Sequence, residues 1–418
     1  MQKTAIIIGG GVVGLASGLA LARRGLAARL VEADPDRRAA SWGNAGHVAI
    51  EQVEPLASRA AIRSAPGWLF SRGGALALPP GQWRAWAPFA WRMMGAARPH
   101  RFETGKAALS ALLAEAMPAW RRFAESLPER GLLREDGHYV LWGSPAAAMK
   151  GRAAWANADT GTARFHDIDE GERRTLASLL GADPAGAIRF ENTGQIDDLS
   201  RLAEALETAF RAVGGEIVRG RARLELVGGR AGVSIEGSAA EVPDHVVLAA
   251  GVRSGGLIAP LGHRAPIIAE RGYHIRARSH DWPAHLPPLV FEDRSMIVTR
   301  YADCVQAASF VELGEPDAAP DPAKWARLER HVLELGLPMR GPFERWMGAR
   351  PTLPDYLPAI GRSARAGNLL YAFGHQHLGL TLAPITGEIV GALAMGERPP
   401  VKIDAFDLER FAGRGRRT

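Results

Sequence analysis

One cysteine, Cys304, in 418 residues excludes a disulfide framework within the chain and suits a reducing compartment, so a cytoplasmic location is expected. Lysine is nearly as scarce. Lys3, Lys106, Lys150, Lys324 and Lys402 are the only ones among 51 basic residues, so the cations are almost all arginine. The net charge of +6 is interspersed with 45 acidic residues. That pattern reads as a compositional habit and predicts no nucleic-acid partner. Only the tail from Arg410, with Arg414, Arg416 and Arg417, is a short basic block, expected to hang in solvent. There is no HExxH, CxxC or GxSxG, and His375 and His377 have no carboxylate at metal spacing, so neither a metal site nor a hydrolase nucleophile is expected. No uncharged stretch is both long enough and glycine-poor enough to cross a bilayer. No repeat or low-complexity tract stands out. Apolar residues are plentiful at 47%, enough for two packed cores, and this excludes global disorder.

The amino terminus imitates a signal peptide. Lys3 precedes an uncharged run from Ala5 to Ala22 that closes on Ala20-Leu21-Ala22. Yet Gly9, Gly10, Gly11, Gly14 and Gly18 are too many for a stable apolar helix. A strand over Ala5–Ile8, a tight turn at Gly9-x-Gly11-x-x-Gly14, a helix from Val12 and Val13 through Arg23, and a second strand Ala28–Val31 explain the run better. This is a dinucleotide fingerprint. Gly9 permits the sharp turn, Gly11 lets backbone approach a pyrophosphate, and Gly14 lets helix and strand pack closely. The free amides at the helix start face phosphate. Glu32, followed by Ala33, stands 18 residues past Gly14, where a carboxylate can accept hydrogen bonds from a ribose.

The next segments narrow the nucleotide. Ser41-Trp42-Gly43-Asn44-Ala45-Gly46-His47 is a small-residue loop that can bring its backbone against a bulky ring. The apolar strand Asp244–Ala250, ending in Ala250-Gly251, reads as a return to the nucleotide-binding sheet. Asn368–Ala372 delivers a second glycine-bearing turn, Gly374 to Gly379, into a helix from about Thr381 to Met395. A helix start at each end of the ligand suits FAD, its electron-rich ring facing the second.

The opening AIIIGGGVVGLASGLALARRG, the loop SWGNAG, the strand VVLAAGVRS, the segment GARPTLPDYLPAIGR and the turn GHQHLGLTLAP resemble the glycine oxidase and D-amino acid oxidase superfamily. The closest resemblance is to bacterial D-amino acid dehydrogenases, D-hydroxyproline dehydrogenases among them. The motifs run in family order from Ala5 to Pro384. The resemblance implies an α/β fold: a Rossmann-like FAD-binding domain over 1–56, 196–258 and 346–418, interleaved with an α+β, antiparallel-sheet substrate domain over 57–195 and 259–345. The local pattern agrees. His138–Leu141, Ala187–Phe190, Tyr273–Ala277 and Met296–Arg300 read as strands, and Ala107–Leu127 and Leu199–Val213 as helices.

Further expectations follow from the resemblance. The FAD-contacting set comprises Gly9, Gly11, Val12, Val13, Gly14, Glu32, Ala33, Ser41, Asn44, Ala45, Gly46, Ala250, Gly251, Gly348, His377, Leu378, Gly379, Leu380 and Thr381. Some relatives attach flavin through a cysteine just before an Asp-containing loop. Trp346–Asp355 has no cysteine, so the FAD is expected to be noncovalent. Arg350 matches the arginine that holds a substrate carboxylate, a task its planar fork suits. Tyr273 matches a Gly-Tyr pair near the flavin, and His47 and His375 flank the flavin-facing loops. Arg350 and Tyr273 are thus the candidate catalytic and substrate-binding residues, with His47 and His375 as further substrate contacts. Asp355 is expected to brace its own loop. The implied reaction is oxidative deamination of a D-amino acid, D-proline or cis-4-hydroxy-D-proline included, by hydride transfer from Cα to flavin N5. A quinone or dye-like acceptor is expected over oxygen. The alternatives are a glycine- or sarcosine-type amine oxidase, or a flavin-carrying subunit of a larger complex. Finally, Gly67–Met94 interleaves Trp68, Phe70, Trp83, Trp86, Phe89 and Trp91 with arginines. A packed helix whose tryptophans form core or pocket wall is favoured over a surface resting peripherally on the inner face of the cytoplasmic membrane.

Overall fold

A computed structural model describes residues 2–412, so Arg414, Arg416 and Arg417 lie outside the described residues. The first sheet has six strands in the spatial order Glu216–Arg219, Ala27–Glu32, Thr4–Ile8, His245–Leu248, Leu369–Phe373, Ala359–Arg362. All pairs are parallel except the last. The central strands are buried on both faces, which explains their unbroken apolar runs. Helix Val12–Ala22 lies against Leu199–Ala212 and Gly379–Met395. Close approach there needs small residues: a Cβ on Gly387 would stand 2.8 Å from the Ala16 carbonyl oxygen. Gln376–Met395 is long and apolar enough to cross a membrane by length and composition, although it carries Glu388 and three glycines. Yet 78% of its apolar window is buried inside the protein, so this helix serves the core.

The second sheet has nine strands and is mostly antiparallel. Its edge strand Glu344–Thr352 pairs along nine residues with Ile268–Ala277, which pairs in turn with Val305–Gly314. The domain boundary expected at 346 therefore falls inside a strand of this sheet, and the chain returns to the nucleotide sheet only after Thr352. Between Arg271 and Tyr273 the register with Val305–Gly314 slips: Arg271 faces Glu312, but Tyr273 faces Ser309. The extra residue is a bulge at Phe310–Val311, with Phe310 at φ +73.

The helix expected over Ala107–Leu127 is two helices, Pro99–Ala114 and Ala116–Glu125, meeting at Glu115. Trp120 is fully buried where the second crosses Gly379–Met395, its indole N–H donating to the Leu380 and Thr381 carbonyls at 3.1 Å. Arg410 does not hang free. It donates to Asp355 at 2.7 Å and to the Leu357 and Pro358 carbonyls, so Asp355 holds the end of the chain as well as its own loop through the Leu357 amide.

Candidate active site

A cleft of about 2020 Å³ runs between the two sheets. One end is bordered by Glu32 and Gly220–Ala222, the middle by the glycine turn and the Ser41–Ala45 loop, and the other end by Arg350, Tyr356 and Gly379. The turn works by close approach. A Cβ on Gly9 (φ +111) would stand 2.4 Å from the Ala249 carbonyl oxygen, and one on Gly14 would stand 1.8 Å from that of Gly9. Only a side chain, Ser41 Oγ, stands over Gly11, at 3.0 Å. Glu32 accepts the amide protons of Gly10 and, at 2.6 Å, of Asp34. At the far end, helix Gly379–Met395 begins with no side-chain cap, and Gly379 and Leu380 border the cleft, so its first-turn amides are open to an anionic or electron-rich group.

Arg350 stands directly opposite Glu270 on the neighbouring strand. Its Nη1 donates to Glu270 Oε1 at 2.7 Å, and its Nη2 donates to the Phe310 carbonyl at 3.0 Å. The guanidinium lies flat across Gly272, where a Cβ would come within 1.9 Å of Nη2. Glu270 is completely buried and also accepts the Thr352 hydroxyl at 3.1 Å. Burial, then the Glu270 charge, drives the pKa of the neighbouring Tyr356 phenol well above its ordinary value. A guanidinium has five N–H donors, and two are engaged here, so three remain for a ligand in the cleft. Four non-glycine residues with positive φ border the cleft: Ser295 at +48, Phe310 at +73, Tyr356 at +57 and Gln376 at +49. Strain of this kind gathers where geometry serves a site.

A family model described as FAD dependent oxidoreductase (DAO) matches residues 4–393. The chain belongs to this family. It is 31% identical over 428 residues to D-amino acid dehydrogenase 2 of Pseudomonas aeruginosa, covering 98% of each chain. It is 29% identical over 419 residues to a D-amino-acid oxidase of Bradyrhizobium diazoefficiens, covering 97% of this chain and 98% of the relative. Among solved structures, glycine oxidase from Geobacillus kaustophilus shares the fold with a TM-score of 0.75 at 19% identity, over 98% and 99% of the two chains.

The cleft of this flavoprotein fits FAD: the glycine turn admits close approach, the Glu32 carboxylate borders one end and uncapped amides stand at the other. Of the residues expected to touch it, Gly9, Gly11, Val13, Glu32, Ala33, Ser41, Asn44, Ala45, Ala250, Gly251, Gly348, His377, Gly379 and Leu380 border the cleft. Val12, Gly14, Gly46, Leu378 and Thr381 do not. Each has a structural duty instead. Val12 and Leu378 are core, and Gly14 seats the helix on the turn. Gly46 (φ +75) lies against Tyr301, and Thr381 accepts the Ala49 amide at 3.0 Å. Gly348 does border the cleft, but the space above it is filled by the Trp346 indole. That indole also covers Gly43 and stacks on His274 at 4.8 Å. Cys304 does not border the cleft, and burial pushes its thiol up to about 12, so it offers no thiolate for flavin attachment.

The remaining expected substrate contacts separate. Tyr273 borders the cleft, but its phenol turns into the substrate-domain core. There it donates to Glu312 at 3.0 Å and accepts the Asp321 amide at 3.2 Å. Glu312 also pairs with the fully buried Arg271 at 2.9 Å and with Lys324. Tyr273 thus belongs to a buried charge network, its hydroxyl engaged by Glu312 and the Asp321 amide. His375 is likewise structural: its Nε2 bonds the Thr386 hydroxyl at 3.1 Å, and burial lowers its pKa to about 3. His47 borders the cleft, with Nε2 3.2 Å from buried Glu51. Burial works to raise the Glu51 carboxyl, but the His47 charge and hydrogen bond prevail and bring it to about 2. His138 lies edge-on to His47 at 4.5 Å and is held by Thr193, so ligating atoms of His47, Glu51 and His138 come within 4.8 Å of one another. No local spacing signals this cluster, because residues 47 and 138 meet only through the fold. His377 contacts Gln52. Burial lowers its pKa; the Glu270 charge opposes this and the Arg350 charge adds to it, and with the net shift downward its imidazole is neutral near pH 7.

Proposed function

We propose that this flavoprotein oxidatively deaminates a D-amino acid, giving an imino acid that hydrolyses in water, with a quinone or dye-like acceptor rather than oxygen reoxidising the cofactor. The observation that carries this reading is Arg350. It is a guanidinium pinned by Glu270 and the Phe310 carbonyl, with three donors free, at the cleft end opposite Glu32. Such a fork takes a carboxylate through two parallel hydrogen bonds. The curated relatives named D-amino acid dehydrogenase and D-amino-acid oxidase support the D configuration. When bound, FAD supplies the two-electron acceptor. The protein supplies position. Arg350 fixes the carboxylate, and with the amine also fixed by the pocket only one enantiomer can present its Cα–H bond to a fixed acceptor. His377, uncharged beside Arg350, places no second cation near the ammonium group.

The test is anaerobic bleaching of the flavin by D-alanine, D-phenylalanine, D-proline and cis-4-hydroxy-D-proline against their L forms, followed by turnover with air or with a dye. Bleaching by D forms alone, with dye reduction and little peroxide, is expected. Bleaching by L forms alone refutes the stereochemical reading, and stoichiometric peroxide refutes the acceptor.

A further inference from the structure

From Pro55 to Phe102 the chain carries seven arginines, Arg59, Arg63, Arg72, Arg84, Arg92, Arg98 and Arg101, and neither Asp nor Glu. At the chain's average composition, about five acids would fall in a stretch of this length. Among the described residues none of the seven forms an ion pair, whereas arginines elsewhere are widely paired. The same stretch departs from the expected packed helix. In Trp83–Ala96, Trp86, Phe89, Met93 and Ala96 pack inward around Ile268, Leu313 and Tyr356. The opposite face is apolar too. Trp83, Trp91 and Met94 share one helical stripe and are 56%, 75% and 47% exposed. Trp68 and Leu56, 50% and 44% exposed, continue the patch to the cleft, which Leu56, Trp68 and Met94 border. Arg84 lies 5.6 Å over the Trp83 ring, and Arg98 is exposed one turn past Met94. A monomer in water has no use for three solvent-facing tryptophans on an acid-free surface.

We infer that this face seats on an anionic phospholipid bilayer, lying in the headgroup plane beside the mouth of the cleft. Tryptophan is the residue suited to that depth, where its ring is in the acyl boundary and its N–H reaches water. Unpaired arginines complement lipid phosphate, while the missing carboxylates remove the repulsion that would oppose it. The apolar residues come from three short elements, Leu56, Trp68 and the helix, and form a patch at the cleft rim with basic residues beside it. Such a patch suits a fluid surface better than a shaped protein groove.

The experiment uses the full FAD-loaded chain and flotation with vesicles of equal parts phosphatidylglycerol and phosphatidylcholine, against phosphatidylcholine alone. Binding to the anionic vesicles, weakened by salt and accompanied by a blue shift of tryptophan emission, is expected. Trp83→Ser with Trp91→Ser should lower vesicle affinity by at least about tenfold. Arg84→Gln with Arg98→Gln should lower it about thirtyfold on anionic vesicles and little on neutral ones. Neither pair borders the cleft, so flavin content, melting temperature and turnover in solution should match the parent. Absence of flotation with anionic vesicles at low salt, or flotation unchanged in the tryptophan pair, overturns the inference. So does lipid-free self-association that the tryptophan pair abolishes without any vesicle binding, which would assign the face to a second copy of the chain.

Discussion

Arg350→Ala should do two separable things, and a second substitution should separate them. Arg350 engages Glu270 Oε1 at 2.7 Å, and Glu270 is completely buried with Thr352 on its other oxygen. Removing the guanidinium leaves a carboxylate in a dry site with hydroxyl partners only. Breaking a buried pair costs roughly 3–5 kcal/mol. Arg350 itself keeps 25% side-chain exposure, which places the expected loss at the lower end. Substrate binding fails independently, because the ligand carboxylate loses its fork. Adding Glu270→Gln to the Ala variant removes the stranded charge. The amide can turn its NH2 to the Thr352 hydroxyl, so urea unfolding should recover most of the lost stability. Flavin bleaching by D-amino acids should stay impaired. Arg350→Lys, which keeps the charge and pairs with Glu270 but loses the second prong, should raise KM by about 10- to 150-fold, the worth of one charge-assisted hydrogen bond of roughly 1.5–3 kcal/mol. If Arg350→Ala with Glu270→Gln is stable and binds substrate like the parent, Arg350 is only a structural ion-pair residue and the anchor reading is refuted.

Glu32→Gln should be isolated with less flavin, since the ribose end loses a charged acceptor worth roughly 1.5–3 kcal/mol where it is buried. Full occupancy and parental FAD affinity would show that Glu32 serves only the Gly10 and Asp34 amides. His375 is held neutral, its pKa lowered by burial from the ordinary 6.5 to about 3, so its folded pKa lies below its unfolded one. The stability tied to that shift is complete above 6.5 and is lost as the pH falls toward 3, by about 1.4 kcal/mol per pH unit. His375→Asn should flatten the acid limb of urea-unfolding stability by that slope, and an unchanged limb would mean that His375 takes up its proton in the folded state.

The nucleotide half was legible because its glycines admit few other readings. Gly9 and Gly14 are forced by carbonyl oxygens closer than any Cβ tolerates, and the strands around them are buried on both faces and read as apolar runs. Which residues of a turn border the cleft is set by the fold rather than by the motif: Val12, Leu378 and Thr381 lie in the same segments as Gly11, His377 and Leu380 but face the packed side. The tryptophan segment was legible in part: Trp86 packs and Trp68 borders the cleft, while Trp83 and Trp91 face out. Its composition cannot say which aromatics pack and which face water. The helix phase decides this, turning Trp86 and Phe89 inward and Trp83 and Trp91 outward.

The substrate end was legible in one residue and hidden in the rest. Arg350 was found, but Glu270 lies 80 residues earlier and meets it only through strand register. Side-chain alternation explains why the Tyr273 phenol turns away from Arg350. Glu270, Gly272 and His274 share the face that carries Arg350 and Trp346, whereas Arg271 and Tyr273 point to Glu312 on the other. One step of strand phase therefore separates the Arg350 face from the Glu312 face. Phe310 gives no sequence signal, because aromatic residues avoid positive φ and only the bulge forces it there. The slip that produces this strain also aims the Phe310 carbonyl at Arg350 Nη2, while Gln376, strained as well, donates to the Tyr356 carbonyl at 2.7 Å. Both strands flanking the bulge are long and fully paired beyond it, so the sheet holds Phe310 in a conformation its own sequence disfavours. The guanidinium is thereby fixed from two sides before any carboxylate arrives.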